Sequence, residues 1–364
     1  MVFLYGSDAR PVAGKEAMTA PDKQGGPVIR VKMLGSAPPA VWPRQFPGNR
    51  PVWGRCAFHF DPERRDYDWL VVYNDLPDIS GLEEKLPCPR RHTILTTTEP
   101  STIKAYGNDF TAQFGYVLTS QAAWALPHPN RIFSQPALHW FYGLGKKRML
   151  GYDEMYHNPP LEKNKVLSTV CSNKQQKHTL NYRRYKFTWA LKEKIPQMDV
   201  YGLGVHPIDD KAEALSAYRY HLAIENFIGE HHWTEKLSDA FLGATLPFYV
   251  GCPNAGAYFP EESFIPVDLG DVDGSSEIIL RAISDNEYEK RLPHILEARR
   301  LVFEKYNIFS VLAREIEQRH SGTGGGAGGG IIYSRRMLRK KHPWVAVRHV
   351  WEKARLRILH SSGR

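Results

Sequence analysis

Short apolar runs, rich in β-branched and aromatic residues and closed by turn formers, dominate the first half of the chain. They are VIRVKML at 28–34, DWLVVYN at 68–74, HTILTTTEP at 92–100 and FGYVLTS at 114–120. Their lengths and closing residues predict strands. The preceding residues are rich in Gly, Pro and small polar types and predict irregular structure. The segment NPPLEKNK at 158–165 reads as a connector, because a double proline cannot continue a helix. Beyond it the rhythm changes. Strand patterns at 165–172, 198–204, 221–226, 246–251 and 263–269 alternate with helical patterns at 182–195, 211–220 and 234–244. In the last of these, Leu237, Ala240, Phe241 and Ala244 share one face. A long helical stretch follows over 284–320, with a break expected near Pro293. Such alternation predicts a mainly parallel sheet covered by helices, with ligands outside the carboxyl ends of its strands.

The 364 residues suffice for two domains. A hydrophobic content of 42% excludes wholesale disorder. No apolar run approaches the roughly 20 residues needed to span a bilayer, and the opening MVFLYGSDAR is too short in apolar residues for a signal-peptide core. Four scattered cysteines without a CxxC pair argue against a zinc site of that kind and against a disulfide framework, which favours a reducing, cytoplasmic setting.

The formal charge of +9 is confined to the end of the chain. Residues 331–364 hold ten Lys or Arg and one Glu, so residues 1–330 are formally neutral. A nucleic-acid-binding body is therefore not expected. The run SGTGGGAGGG at 321–330 reads as a flexible linker to this tail. Within the tail, Trp344, Val347, Trp351, Ala354 and Ile358 recur at spacings of three and four. A basic helix with such a stripe suits adsorption to an anionic membrane surface, here the inner face of the membrane; a solvated basic end is the plainer alternative.

The residues most suggestive of chemistry lie between 221 and 244. A strand delivers Glu225 and Asn226 at its carboxyl end, a loop presents His231, His232 and Trp233, and Thr234 caps a helix opened by Glu235 and Lys236. Free backbone N–H groups, the helix dipole and a lysine then converge at one mouth, which suits a pyrophosphate. The same pattern also serves as an ordinary solvated cap.

The stretch YHLAIENFIGEHHWTEKLSDAFLGATLPFYVGCPN at 220–254, followed by SFIPV at 263–267, resembles the signature of the family 10 glycosyltransferases, the α-1,3/4-fucosyltransferases. Upstream, CSNKQQKHTLNYRRYKF at 171–187 and DVYG at 199–202 resemble further parts of that pattern. The resemblance runs from about 165 to 320. It implies a GT-B fold, with two Rossmann-like domains facing each other across a cleft: an acceptor-binding domain over 1–160 and a nucleotide-sugar-binding domain over 161–320, with the basic tail beyond. It also implies inverting transfer of fucose from GDP-fucose to a glycan hydroxyl. Lys236 and Arg184 match the family's phosphate-contacting positions, Glu235 the acid facing the ribose, and Asn226 the asparagine near the diphosphate; Glu225 is the neighbouring acid. Two cations at a leaving diphosphate agree with the chemistry, since charge builds there as the glycosyl bond breaks.

The acceptor hydroxyl must also lose a proton, which calls for a carboxylate across the cleft. Glu99, at the end of a strand and before Pro100, is the candidate, and it resembles the family's glutamate in that place. No cofactor beyond the donor and no metal is expected, although Asp66-Tyr67-Asp68 and Asp271-Val272-Asp273 have the form of metal-holding pairs. Phe227 and the His232-Trp233 pair depart from the family's usual residues close to the expected donor, with His232 read as a stacking or hydrogen-bonding group near the nucleotide. Transfer of another nucleotide sugar therefore stays an alternative, as does a non-catalytic, membrane-docked binding protein.

Overall fold

The computed structural model describes residues 26–35, 39–77, 82–173, 180–322 and 329–361. The first part of the irregular amino-terminal region, part of the 171–187 stretch and most of the glycine-rich run lie outside the described residues.

Two parallel α/β sheets organise the chain. The first contains β1 (Ile29–Gly35), β2 (Val52–Trp53), β3 (Cys56–His59) and β4 (Trp69–Tyr73). After β5 (Glu83–Lys85), which stands apart, it is completed by β6 (Thr93–Thr96), β7 (Tyr116–Thr119) and β8 (Arg131–Phe133), in the order β2-β3-β1-β4-β6-β7-β8. Only the β2–β3 pair is antiparallel. Every residue of β4 is buried, which is why WLVVY reads as a continuous apolar run rather than an alternating one: helices or loops cover both faces. The second sheet contains β9 (Lys165–Val170), β10 (Asp199–Tyr201), β11 (Tyr218–Ile224), β12 (Leu246–Val250) and β13 (Ile265–Pro266), all parallel, in the order β10-β9-β11-β12-β13.

Nine helices accompany these strands among the described residues: α1 (Asn108–Thr111), α2 (Tyr152–His157), α3 (Leu180–Lys194), α4 (Glu235–Leu242), α5 (Val272–Ser284), α6 (Glu287–Glu304), α7 (Ile308–Arg319), α8 (Arg335–Lys341) and α9 (Pro343–Ser361). One face of the second sheet packs Leu167, Tyr220 and Phe248 against Phe187 and Leu191 of α3 and Ile279 of α5. The other face is filled by Phe241 of α4 and Phe303 of α6.

Three expectations are corrected. The helix expected over 211–220 is a single 3-10 turn at Lys211–Ala214, capped reciprocally by Asp210 and Glu213. The chain is already in β11 by Tyr218, because burying Tyr218 and Tyr220 in the sheet outweighs weak local helix preference. The long helical stretch starts earlier and breaks elsewhere: α6 runs through Pro293, and the interruptions fall at left-handed Asn286 and at Lys305–Asn307. The packing also crosses the boundaries drawn at 160 and 320. Tyr152 and Met155 of α2 already belong to the core around α4 and α6, while Ile308, Phe309, Leu312 and Ile316 of α7 return to cover the first sheet beside Val31, Trp69 and Val71.

The basic end does not stand apart from the body. β14 (Ile331–Tyr333) pairs antiparallel with β5. Ile332, Leu338 and Val345 enter the core under the first sheet. Arg335 pairs with Asp75 at 2.8 Å and Arg348 with Asp109 at 2.6 Å. Consequently α9 buries Val345, His349 and Leu356 against the body, and the stripe expected to be apolar faces outward, with Trp344 76% and Trp351 65% exposed. No helix among the described residues is long and apolar enough to cross a membrane.

Candidate functional site

The carboxyl edges of the two sheets face each other. Ser120 follows β7, and its Oγ lies 3.0 Å from His232 Nδ1 in the loop after β11. Gln135, after β8, donates its backbone N–H to the Tyr258 hydroxyl at 3.3 Å. Phe133 meets His231 edge-on at 4.6 Å.

On the second sheet's side lies a pocket of about 170 Å³. Val170, Gly202 and Ile224 bring the ends of β9, β10 and β11 to it, and Arg184, Lys211, Glu235, Lys236 and Asp239 supply its charge. The open helix end at its rim follows from sequence: extended Thr234 accepts the Lys236 backbone N–H through its side chain, so α4 begins there. Gly202 has a φ of +138°, and a Cβ there would stand 2.5 Å from the Cys171 carbonyl oxygen, so the strand end tolerates only glycine.

The charged groups are held by one another. Lys236 Nζ donates to Glu235 Oε1 at 2.9 Å and lies 3.6 Å from Glu225 Oε2. Burial disfavours its ammonium, but Glu235 and then Glu225 outweigh that and raise its pKa. Burial likewise opposes the Glu235 carboxylate, yet Lys236 and then Lys211 hold it well below the usual range. Arg184 Nη2 donates to the Val170 carbonyl at 2.9 Å, which aims the guanidinium along the pocket wall.

Glu225 sits beneath the pocket rather than in it. Fully buried, it accepts the Thr234 N–H at 2.8 Å and the Thr234 hydroxyl at 2.5 Å, and burial first of all raises its pKa. Its geometry is that of a buttress for the helix mouth. His232 is also withdrawn from solvent. Its Nε2 lies 3.3 Å from Asn226 Oδ1, and burial drops its pKa to about 3, so the ring is neutral. A buried ring bonded on both sides cannot stack on a nucleotide; it orients Asn226 and ties the two sheet edges together. Glu99 follows β6 on the facing edge, its carbonyl accepting from Gln121 Nε2 at 2.8 Å and its N–H donating to the Tyr106 hydroxyl at 3.4 Å.

Lys211 and Asp239 were not legible as site residues. Lys211 Nζ reaches Asp239 at 3.0 Å and Glu235 at 3.6 Å. The capping pattern from Asp210 to Glu213 marks a turn there, but only the fold brings that turn to α4. The two Asp-x-Asp sequences are occupied structurally: Asp66 and Asp68 hold Arg30, Asp271 caps α5 and Asp273 pairs with Lys194. Among the described residues no three His, Cys, Asp or Glu side chains gather as a metal site.

Residues 160–281 match the model of glycosyltransferase family 10 (fucosyltransferase), C-terminal domain. A 60-residue segment is 38% identical to the α-(1,3)-fucosyltransferase FucT of Helicobacter pylori; it covers 16% of this chain and 13% of that protein. Among solved structures, an α1,3-fucosyltransferase with GDP-fucose is similar over 77% of this chain and 84% of its own, at 17% identity and a TM-score of 0.43. Another α1,3-fucosyltransferase structure is similar over 74% and 82%, at 17% identity and a TM-score of 0.46. Residues 160–281 are thus similar to the C-terminal domain of glycosyltransferase family 10.

Proposed function

We propose that the protein is an inverting glycosyltransferase that moves fucose from GDP-fucose to a hydroxyl of a glycan acceptor. The observation that carries this is the pocket at the α4 mouth, where Arg184 and Lys236 line one cavity at the carboxyl ends of parallel strands. The family match and the name of the Helicobacter pylori relative support fucose as the sugar.

In this reading the diphosphate lies against Lys236, Arg184 and the backbone N–H groups that open α4. Glu235 faces the ribose, and Asn226, oriented by His232, stands by the diphosphate. Glu99 takes the acceptor hydroxyl's proton as that oxygen bonds to the anomeric carbon from the face opposite the leaving group. The bond from that carbon to the phosphate oxygen breaks at once, its electron pair leaving on GDP. The cations stabilise that charge without moving. The outward stripe of α9, bordered by Arg348, Arg355, Lys353 and Arg357, docks the enzyme on an anionic membrane surface.

Calorimetry against GDP-fucose, GDP-mannose and UDP-sugars tests the donor, with GDP-fucose expected to bind most tightly. Glu99→Gln should keep donor affinity and lose transfer by about 10²–10⁴-fold. Lys236→Ala should weaken donor binding by roughly 10–100-fold. Tight binding of UDP-sugars alone, or full transfer by Glu99→Gln, would overturn the assignment.

A further inference from the structure

The last turn of α9 lies beside the groups assigned to the reaction. His360 Nε2 is 3.1 Å from Ser101 Oγ, two residues beyond Glu99. The His360 ring meets Trp124 edge-on at 5.1 Å and Phe227 edge-on at 6.2 Å. Phe227 adjoins Asn226 and in turn meets His232 at 5.4 Å. Three rings from three separate parts of the chain thus converge: Trp124 from the loop after β7, Phe227 from the loop after β11, and His360 from the tail. All three are half-buried. Ser101 is buried, which fixes the hydrogen-bonding partner beneath them.

We infer that His360, Trp124 and Phe227 form an acceptor subsite that receives a pyranoside ring next to the reacting hydroxyl. The inference rests on the transferase reading above and deepens it. A pyranose has an apolar face of C–H groups and a rim of hydroxyls. Aromatic rings bury the first, while the His360 imidazole, positioned by Ser101, meets the second. Glu99 stands two residues from Ser101 on the same loop, which sets the proposed subsite beside the segment that carries the proposed base. Phe227 is one of the places where the chain departs from the pattern it resembles, and a bulky ring there would narrow the choice of acceptor. The tail therefore does more than attach the protein to a surface: its end builds part of the cleft wall. His360 acts as a specificity-determining residue, not as a catalytic one.

Substitution of His360 leaves the helix seated, because Val345, His349 and Leu356 and the Arg348–Asp109 pair anchor it. Full-length His360→Ala, His360→Phe and Trp124→Ala are to be compared with wild type using octyl glycosides of N-acetylglucosamine, galactose and N-acetyllactosamine. Acceptor KM, donor KM and acceptor-independent hydrolysis of GDP-fucose are measured together, with calorimetric binding of the same glycosides. For the glycoside that wild type uses, His360→Ala and Trp124→Ala should raise acceptor KM on the order of tenfold. Donor KM and hydrolysis should stay unchanged, and His360→Phe should recover part of the loss. Unaltered acceptor KM in both alanine variants of an active enzyme overturns the subsite and leaves the transferase reading intact. Glycoside binding that is lost in the variants, without transfer by wild type, keeps the subsite and overturns the transferase reading. A wild type that neither binds nor transfers any of the glycosides overturns both.

Discussion

At the scale of single residues, the site is built from groups whose charge states depend on burial. His232 and His221 are the clearest cases. His221 Nδ1 lies 2.8 Å from Ser168 Oγ beside the pocket, and burial lowers its pKa to about 3, as it does for His232. Unfolded histidine titrates near 6.5, so above that pH neither ring costs anything. As the pH falls below about 6.5, the unfolded chain takes up protons that the folded rings refuse, and stability declines. At pH 5 each ring accounts for at most about 2 kcal/mol of this loss. Urea midpoints measured between pH 7 and 5 should fall for wild type and fall less steeply for His232→Asn. An equal slope in both would show that the ring is protonated inside the fold.

At the scale of elements, the helix mouth depends on Thr234. Its hydroxyl caps α4 and donates to buried Glu225. Thr234→Val keeps the shape but removes both bonds, at a cost of about 3 kcal/mol. Urea unfolding should show that loss, and donor affinity should fall with it, since Lys236 sits on the same turn; an unmoved midpoint would mean that Glu225 finds another donor. α4 was legible in the sequence because its cap, its charged first turn and its apolar face all agree locally. So were β4 and β12, whose apolar runs are closed by turn residues. The helix expected over 211–220 failed because Tyr218 and Tyr220 are claimed by the sheet, a preference that no local window contains. Pro293 failed as a breaker because α6 is held by its core contacts around it. Arg184, Glu235 and Lys236 could be placed in one pocket from a motif, whereas Lys211 needed Asp239, 28 residues away, to be brought beside it. The pairing of β14 with β5 was equally hidden, since strands of three residues joined across nearly the whole chain leave no local trace.

At the scale of the whole molecule, charge and exposure separate cleanly. The body is formally neutral, and the excess cations ride on the tail. Much of the tail's apolar content points outward from α9, flanked by Arg and Lys. Sedimentation with vesicles of 30% anionic lipid should therefore be strong at low salt and weak in 0.5 M salt, where charges farther apart than about 4–5 Å are screened. Trp344→Ser with Trp351→Ser should reduce partitioning on the order of tenfold without altering stability. Sedimentation that ignores both changes would exclude docking through this face.

The chain also passes twice between the two sheets. It crosses once between Ala137, in the core against the first sheet, and Trp140, in the core around α4 and α6. It crosses back at Lys305–Asn307, where the Asn307 side chain donates to the Gln45 carbonyl at 2.8 Å. Together with the Ser120–His232 and Gln135–Tyr258 bonds between the sheet edges, these two crossings join the halves at four places. Separating the facing edges therefore breaks those side-chain bonds first, while the covalent crossings hold.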